Sequence, residues 1–241
     1  MTLNTVATSR VPVRYYEGGS GTPLVFLHGA GGLNMDLTFL DALAQRFHVY
    51  APLVPGYGDS EECHEIRDML DFTLHTWDVV RELGLKDPVL VGHSMGGMIA
   101  AEMAAIAHND VTRLGLICPA GLWLDDHPIP DLFATMPFEM PKLLFHDVDA
   151  GTKILTAGMT LSDPKFLQTY LVNNARQLGM AGKILFPVPD RGLSERLYRI
   201  KAKTVLIWGD SDKLFRRPMR TPSRRASPAR NSFRCRKPDT W

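Results

Sequence analysis

Ser94 lies in Gly92-His93-Ser94-Met95-Gly96, a G-x-S-x-G stretch. A serine hydroxyl so placed could attack a carbonyl carbon. Alone it is a poor nucleophile and needs a base to take its proton. That base needs a carboxylate to orient it, and the oxyanion that forms needs preorganised donors, worth about 3–4 kcal/mol each. The flanking sequence fits the demand. Pro88-Val89-Leu90-Val91 predicts a strand, and Met98-Ile99-Ala100-Ala101-Glu102-Met103-Ala104-Ala105 predicts a helix. Glycines on both sides of Ser94 permit a turn too tight for Cβ atoms. A chance G-x-S-x-G is common; one between a strand and a helix is not. The Met95 N–H, at the helix N-terminus, then points to where an oxyanion forms.

The remaining elements must present this turn. Val11-Pro12-Val13-Arg14-Tyr15-Tyr16-Glu17 predicts an edge strand, where proline is tolerated. Pro23-Leu24-Val25-Phe26-Leu27 predicts a buried parallel strand running into His28-Gly29-Ala30-Gly31-Gly32. Residues 36–46 show helical spacing with Asp36 as N-cap. Phe47–Ala51 predicts a strand leading to Pro55-Gly56-Tyr57-Gly58-Asp59-Ser60. A helix is expected over 67–83 and strands over Val111–Cys118 and Thr204–Trp208. Alternating strands and helices imply an α/β fold with a mostly parallel, doubly wound sheet. Residues 125–196 break the rhythm and are rich in Met, Phe and Pro, with helical patches near 150–160 and 164–178. They read as a helical cap over the sheet's carboxyl edge, with 1–124 and 197–215 as the core. Phe138 and Phe145 are taken from the cap as substrate-binding residues.

At 241 residues and 45% hydrophobic content, the chain can bury one sizeable α/β core. No apolar run approaches the ~20 residues of a membrane span. Met1-Thr2-Leu3-Asn4-Thr5 lacks a signal-peptide layout. Cys63, Cys118 and Cys235 are odd in number and scattered, which suggests a reducing cytosol. Cys118 reads as a small buried hydrophobe. The expectation is therefore a cytoplasmic protein acting on a small molecule, with no cofactor, metal, membrane or nucleic-acid partner.

Taken together, these motifs resemble the α/β-hydrolase superfamily, in its capped Ser–His–Asp branch, over about residues 11–215. The marks are the His28-Gly29 loop, the Pro55–Ser60 loop, the Ser94 turn and Trp208-Gly209-Asp210-Ser211-Asp212. The resemblance implies Ser94 as nucleophile and Asp212 as the triad acid, with Asp210 as rival. It implies Met95 and Ala30 as oxyanion donors, with Gly31 as alternative to Ala30. His28 is structural on the same resemblance, and His93 is read as pointing away along the strand pleat. The implied activity is hydrolysis of a small or medium apolar carboxylic ester. The alternatives are a carbon–carbon bond hydrolase of the meta-cleavage type and a catalytically silent hydrolase fold. An acid pocket lined by Arg176, Arg191 or Arg196 would favour the carbon–carbon hydrolase. Ser94 stands where a haloalkane dehalogenase needs aspartate.

The family's triad histidine follows its acid in the chain. Here the eight histidines are 28, 48, 64, 75, 93, 108, 127 and 146, all before Asp212. Residues 216–241 instead carry eight Arg, Lys237 and one acid, a net +8, against −7 for the rest. Such a tail reads as a disordered basic segment, as a nucleic-acid arm, or as a shifted reading frame. The third reading is preferred. Taking the third base of each codon with the first two of the next permits PPYADAFKARIPGAEFVPVPEAGHL, which is a helix, a strand and Gly-His. On that reading the last helix and strand of the fold are missing from this chain. The expected result of sequencing the encoding DNA around Phe215 is a one- or two-base insertion or deletion. An uninterrupted frame, matched in an independent isolate, would refute the reading.

Overall fold

The computed structural model describes residues 1–33, 37–156, 158–159, 162–186, 188 and 191–215, together with the backbone of 231–235. The first strands are β1 (Thr2–Val6), β2 (Val13–Gly18), β3 (Pro23–Leu27) and β4 (His48–Pro52). They are followed by β5 (Val89–His93), β6 (Arg113–Ile117), β7 (Lys203–Gly209) and β8 (Asn231–Cys235). All eight form one sheet in the order β1-β2-β4-β3-β5-β6-β7-β8. β1/β2 and β2/β4 pair antiparallel, and every pair from β4 to β8 is parallel. The strand order reverses between β3 and β5, where an open α/β sheet leaves a crevice at its carboxyl edge. The loops that follow these two strands carry His28-Gly29 and Ser94.

Two expectations about the sheet are revised. β2 is not an edge strand, because β1 pairs along its outer side from Thr2↔Glu17 to Val6↔Val13. Pro12 falls just outside that register and disturbs no ladder bond. The expected loss of the final strand also changes: β8 pairs with β7 from Val205↔Asn231 to Gly209↔Cys235. This covers the sheet edge beside Trp208. The remainder of the basic tail, 216–230 and 236–241, lies outside the described residues, as does Asp36.

Helix α1 (Thr38–Ala44) starts after Leu37, which makes no side-chain cap. α2 (Met69–Glu82) is capped by Asp68, whose carboxylate accepts the Asp71 N–H. α3 (Met95–Ile106) is buried at every position from Met95 to Ala105. An amphipathic pattern would be wrong for such a helix, and its alanines and glycines let it lie close beneath the strands.

Between β6 and β7 come α4 (Met140–Leu144), α5 (Val148–Leu155), α6 (Pro164–Leu185) and α7 (Leu193–Arg196). α6 runs seven residues beyond the expected 164–178, past Gly179, because Met180, Ala181 and Ile184 on its last turns are buried. Met180 packs on Gly56, and Arg176 donates to Glu62, Gly58 O and Ser60 O. This helix therefore lies on the loop after β4. Among the described residues, no helix is long and apolar enough to cross a membrane.

The contrast between two glycines is testable. A Cβ on Gly96 would lie 2.1 Å from Leu27 O and 2.6 Å from His28 O, both rigid backbone, whereas Gly179 has nothing within 4 Å. Gly96→Ala is expected to cost about 3 kcal/mol through overpacking. Gly179→Ala should stabilise by about 0.5–1 kcal/mol through helix propensity. Urea unfolding midpoints check both.

Candidate active site

Ser94 has φ 52 and ψ −116, in the left-handed half of the map that a side chain rarely enters. Its backbone is held from three sides. The N–H donates to Ile117 O at 2.9 Å, and the C=O accepts from Met98 N–H at 3.1 Å and Ala120 N–H at 3.0 Å. Neighbouring glycines make the turn possible, since a Cβ on Gly92 would lie 2.2 Å from Gly96 O. Strain of this kind persists only where the surroundings over-determine it, and it marks functional sites. Met95 is the first residue of α3. Its amide is one of the N–H groups that a helix leaves without an internal partner.

The facing loop is braced from below. His28 is 1% exposed and accepts the Val54 N–H at Nε2, 3.0 Å away. Nδ1 therefore carries the ring proton and donates to Gly29 O at 2.8 Å. Both nitrogens are committed, and burial lowers the pKa to about 4. His28 thus has no lone pair to offer Ser94. The Tyr57 hydroxyl lies 3.1 Å from Ala30 O and 3.0 Å from Gln177 O. Its single proton serves both carbonyls, tying the Ala30 loop to α6. Burial raises the pKa of this phenol and keeps it a donor.

Asp212 follows β7 at a bend. One carboxylate oxygen, Oδ1, accepts the N–H groups of Leu214 (2.9 Å) and Phe215 (2.8 Å). This fixes the carboxylate plane, as an orienting acid requires. Asp210, the rival, is exposed at the strand end. His93, read as pointing away along the strand pleat, is exposed. Its ring stands against Gly29, where an added Cβ would meet Nδ1 at 2.9 Å and Ser94 Cβ at 3.3 Å. Desolvation by the groups packed around its ring lowers its pKa, and the Asp212 charge opposes that shift.

Ser94 opens into a shallow cleft whose other walls are mainly apolar, including Met98, Ile129, Leu132, Phe133 and Leu185. The substrate-binding assignment of Phe138 and Phe145 is therefore corrected. Phe138 is 61% exposed, and Phe145 packs its ring onto Gly151 of α5; neither lines the cleft. Composition marked the segment as apolar but could not say which of its rings turns inward.

The three arginines separate similarly. Arg176 binds the loop after β4. Arg196 forks onto buried Glu102 at 2.9 and 2.5 Å and donates to Arg191 O at 2.9 Å. Arg191 alone of the three lines the cleft. Cys118, expected to be buried, is half-buried at φ 40. Among the described residues, no three His, Cys, Asp or Glu side chains stand together as a metal site.

The sequence model described as "Alpha/beta hydrolase family" matches residues 24–235. Lipase 1 of Psychrobacter immobilis is 26% identical over 216 residues, covering 84% of this chain and 66% of that protein. The 2-hydroxy-6-oxo-6-phenylhexa-2,4-dienoate hydrolase of Burkholderia cepacia is 28% identical over 235 residues, covering 88% and 79%. The N-formylmaleamic acid deformylase structure from Pseudomonas putida S16 shares the fold with a TM-score of 0.70 at 17% identity, covering 97% of this chain and 92% of that one. The chain spans only 30% of the length of some curated relatives that it matches.

Buried neutral His28 makes stability depend on pH. Its pKa is about 4 folded and about 6.5 unfolded, so below pH 6.5 the unfolded chain binds a proton that the native state refuses. That contribution is complete above pH 6.5 and is lost as pH falls toward 4, by about 3 kcal/mol. Buried His75, whose pKa burial also lowers, acts in the same direction. Urea midpoints from pH 7.5 to 4 should fall, and less steeply in His28→Gln. Equal slopes in the two proteins would refute the assignment.

Proposed function

The chain belongs to the alpha/beta hydrolase family, and from that membership we propose that it is a serine hydrolase of small or medium apolar carboxylic esters. Ser94 Oγ attacks the ester carbonyl while the Met95 and Ala30 amides receive the oxyanion. The tetrahedral adduct collapses to an acyl-enzyme as the alcohol leaves, and water then releases the acid. Asp212 is the orienting carboxylate. The residues 125–196 act as a cap that sets substrate size. One observation carries this reading: the strained Ser94 turn opens directly into a cleft with mainly apolar walls. The lipase relative supports an ester substrate.

A second reading is a carbon–carbon bond hydrolase of an acid-bearing substrate. It draws on Arg191 in the cleft wall and on the dienoate hydrolase relative. A guanidinium there would pair with a carboxylate that a simple ester lacks. In either case no histidine lies between Asp212 and Trp241; acting without a triad histidine would lower turnover by about six orders of magnitude relative to a complete triad. The limit of this reading is a silent fold that only binds ligand.

A fluorophosphonate probe followed by peptide mapping should place the adduct on Ser94. Preferential labelling of another serine would overturn the assignment. Turnover of p-nitrophenyl butyrate should vanish in Ser94→Ala. Phe133→Ala, which enlarges the cleft, should change the octanoate-to-butyrate ratio of kcat/KM by about tenfold. Phe138→Ala should leave that ratio unchanged.

A further inference from the structure

The nucleophile reading leaves one chemical role unfilled: a base for the Ser94 proton. The sequence offers eight histidines, and their places in the fold sort them. His48 starts β4, at the opposite end of the strand from the loops that carry Ser94, and binds Glu17 at 2.8 Å. His108 lies past the C-terminal end of α3, within 3.3 Å of an Arg199 nitrogen. His75 is buried within α2. His64 lies in the loop before α2, and His127 and His146 lie in the segment between β6 and β7. Neither these three nor His93 lines the apolar cleft, but the His93 ring stands beside Ser94 Cβ against Gly29. His28 and His93 remain beside Ser94, and both nitrogens of His28 are committed.

His93 differs from His28 on each count that matters for proton transfer. It ends β5 one residue before the nucleophile and keeps more than a third of its surface open to solvent. Its ring lies against Gly29, on the same side of that glycine as Ser94 Cβ. Asp212, at the end of β7, is near enough for its charge to act on the ring. Elsewhere a base at this position would be redundant. Here the chain has no histidine after Asp212.

We propose that His93 is the general base of this chain, taking the Ser94 proton directly or through one water, with Asp212 stabilising the imidazolium. This rests on Ser94 being the nucleophile. In the forward step an imidazole nitrogen takes the Oγ proton as the Oγ–carbonyl carbon bond forms and the carbonyl π pair moves to oxygen. On collapse the C–O bond to the alcohol breaks, and the alkoxide takes the proton back from the imidazolium. Water repeats the sequence on the acyl-enzyme. General-base assistance is typically worth about 10²–10⁴ in rate, so even a poorly aligned base is measurable.

The groups around His93 give the proposal a pH signature. Desolvation by the groups around the His93 ring lowers its pKa, and the charge of Asp212, after β7, opposes that shift. His28, after β3, couples electrostatically with it. β6, paired to His93 through Ile117, is followed by Cys118, whose thiol is half-buried. Activity needs neutral His93, so it should rise with pH along a limb centred below pH 6.5. Removing the Asp212 charge should move that limb lower.

The test compares the whole chain with His93→Gln, His93→Gly, Asp212→Asn and Ser94→Ala. The readouts are the rate of fluorophosphonate labelling and p-nitrophenyl butyrate turnover from pH 4.5 to 9. His93→Gln should lose at least tenfold in both rates, and added imidazole should restore part of the turnover of His93→Gly. Asp212→Asn should shift the acid limb downward. Rescue by imidazole separates a lost base from a misfolded variant. A His93→Gln chain within twofold of the parent, an acid limb that Asp212→Asn does not move, or a parent chain inert to both reagents overturns the proposal. Turnover that survives Ser94→Ala overturns the nucleophile reading itself.

Discussion

The whole site depends on one constrained residue. Ser94 can occupy φ 52 only because its amide and carbonyl are held by Ile117, Met98 and Ala120. Those partners lie on β6, on the first turn of α3 and on the loop after β6. Three separate pieces of the fold must therefore be in place before the serine is presented. The glycine at 96 follows from the same geometry, because α3 passes close enough to Leu27 O and His28 O to exclude any Cβ. The energetic cost of the strained turn is met by the burial of α3, in which every position from Met95 to Ala105 is inaccessible.

Around that point, buried polar groups hold loops rather than perform chemistry. His28 spends both nitrogens on backbone, and Tyr57 spans the Ala30 loop and α6. Glu102, on the helix that follows the nucleophile, takes both arms of Arg196, which in turn holds the Arg191 carbonyl. A carboxylate 2% exposed would be costly without that fork. The cleft wall is thereby fastened to the same helix that positions Ser94. Polar groups of this kind fix geometry because leaving any one unpaired is expensive in a low-dielectric interior.

The central strands were legible residue by residue. β3 falls at Pro23–Leu27 as expected, since a strand buried on both faces is a continuous apolar run with no competing period. β1 was missed, because Thr2–Val6 is short and only Val6 is buried. It is a strand only because β2 offers it an unpaired edge. The length of α6 was also underestimated, since Gly179 argues against a helix locally and only the burial of Met180, Ala181 and Ile184 argues for it. Turn geometry, capping and burial pattern are local or periodic and survive in sequence. Pairing partners are neither.

The sequence by itself determined that a strand, a tight turn and a helix present Ser94, that Asp212 follows a later strand, and that no histidine follows Asp212. Each of these is a matter of residue type and order along one stretch of chain. Only the tertiary structure decided that His28 is spent on Val54 and Gly29 while His93 stays open, and that Phe133 rather than Phe138 or Phe145 faces the cleft. It also decided which of three arginines reaches the cleft wall. The physical reason is the same in each case. A side chain's type fixes what it can do, but its direction and its partners are set by elements distant in sequence, through packing that no local pattern encodes.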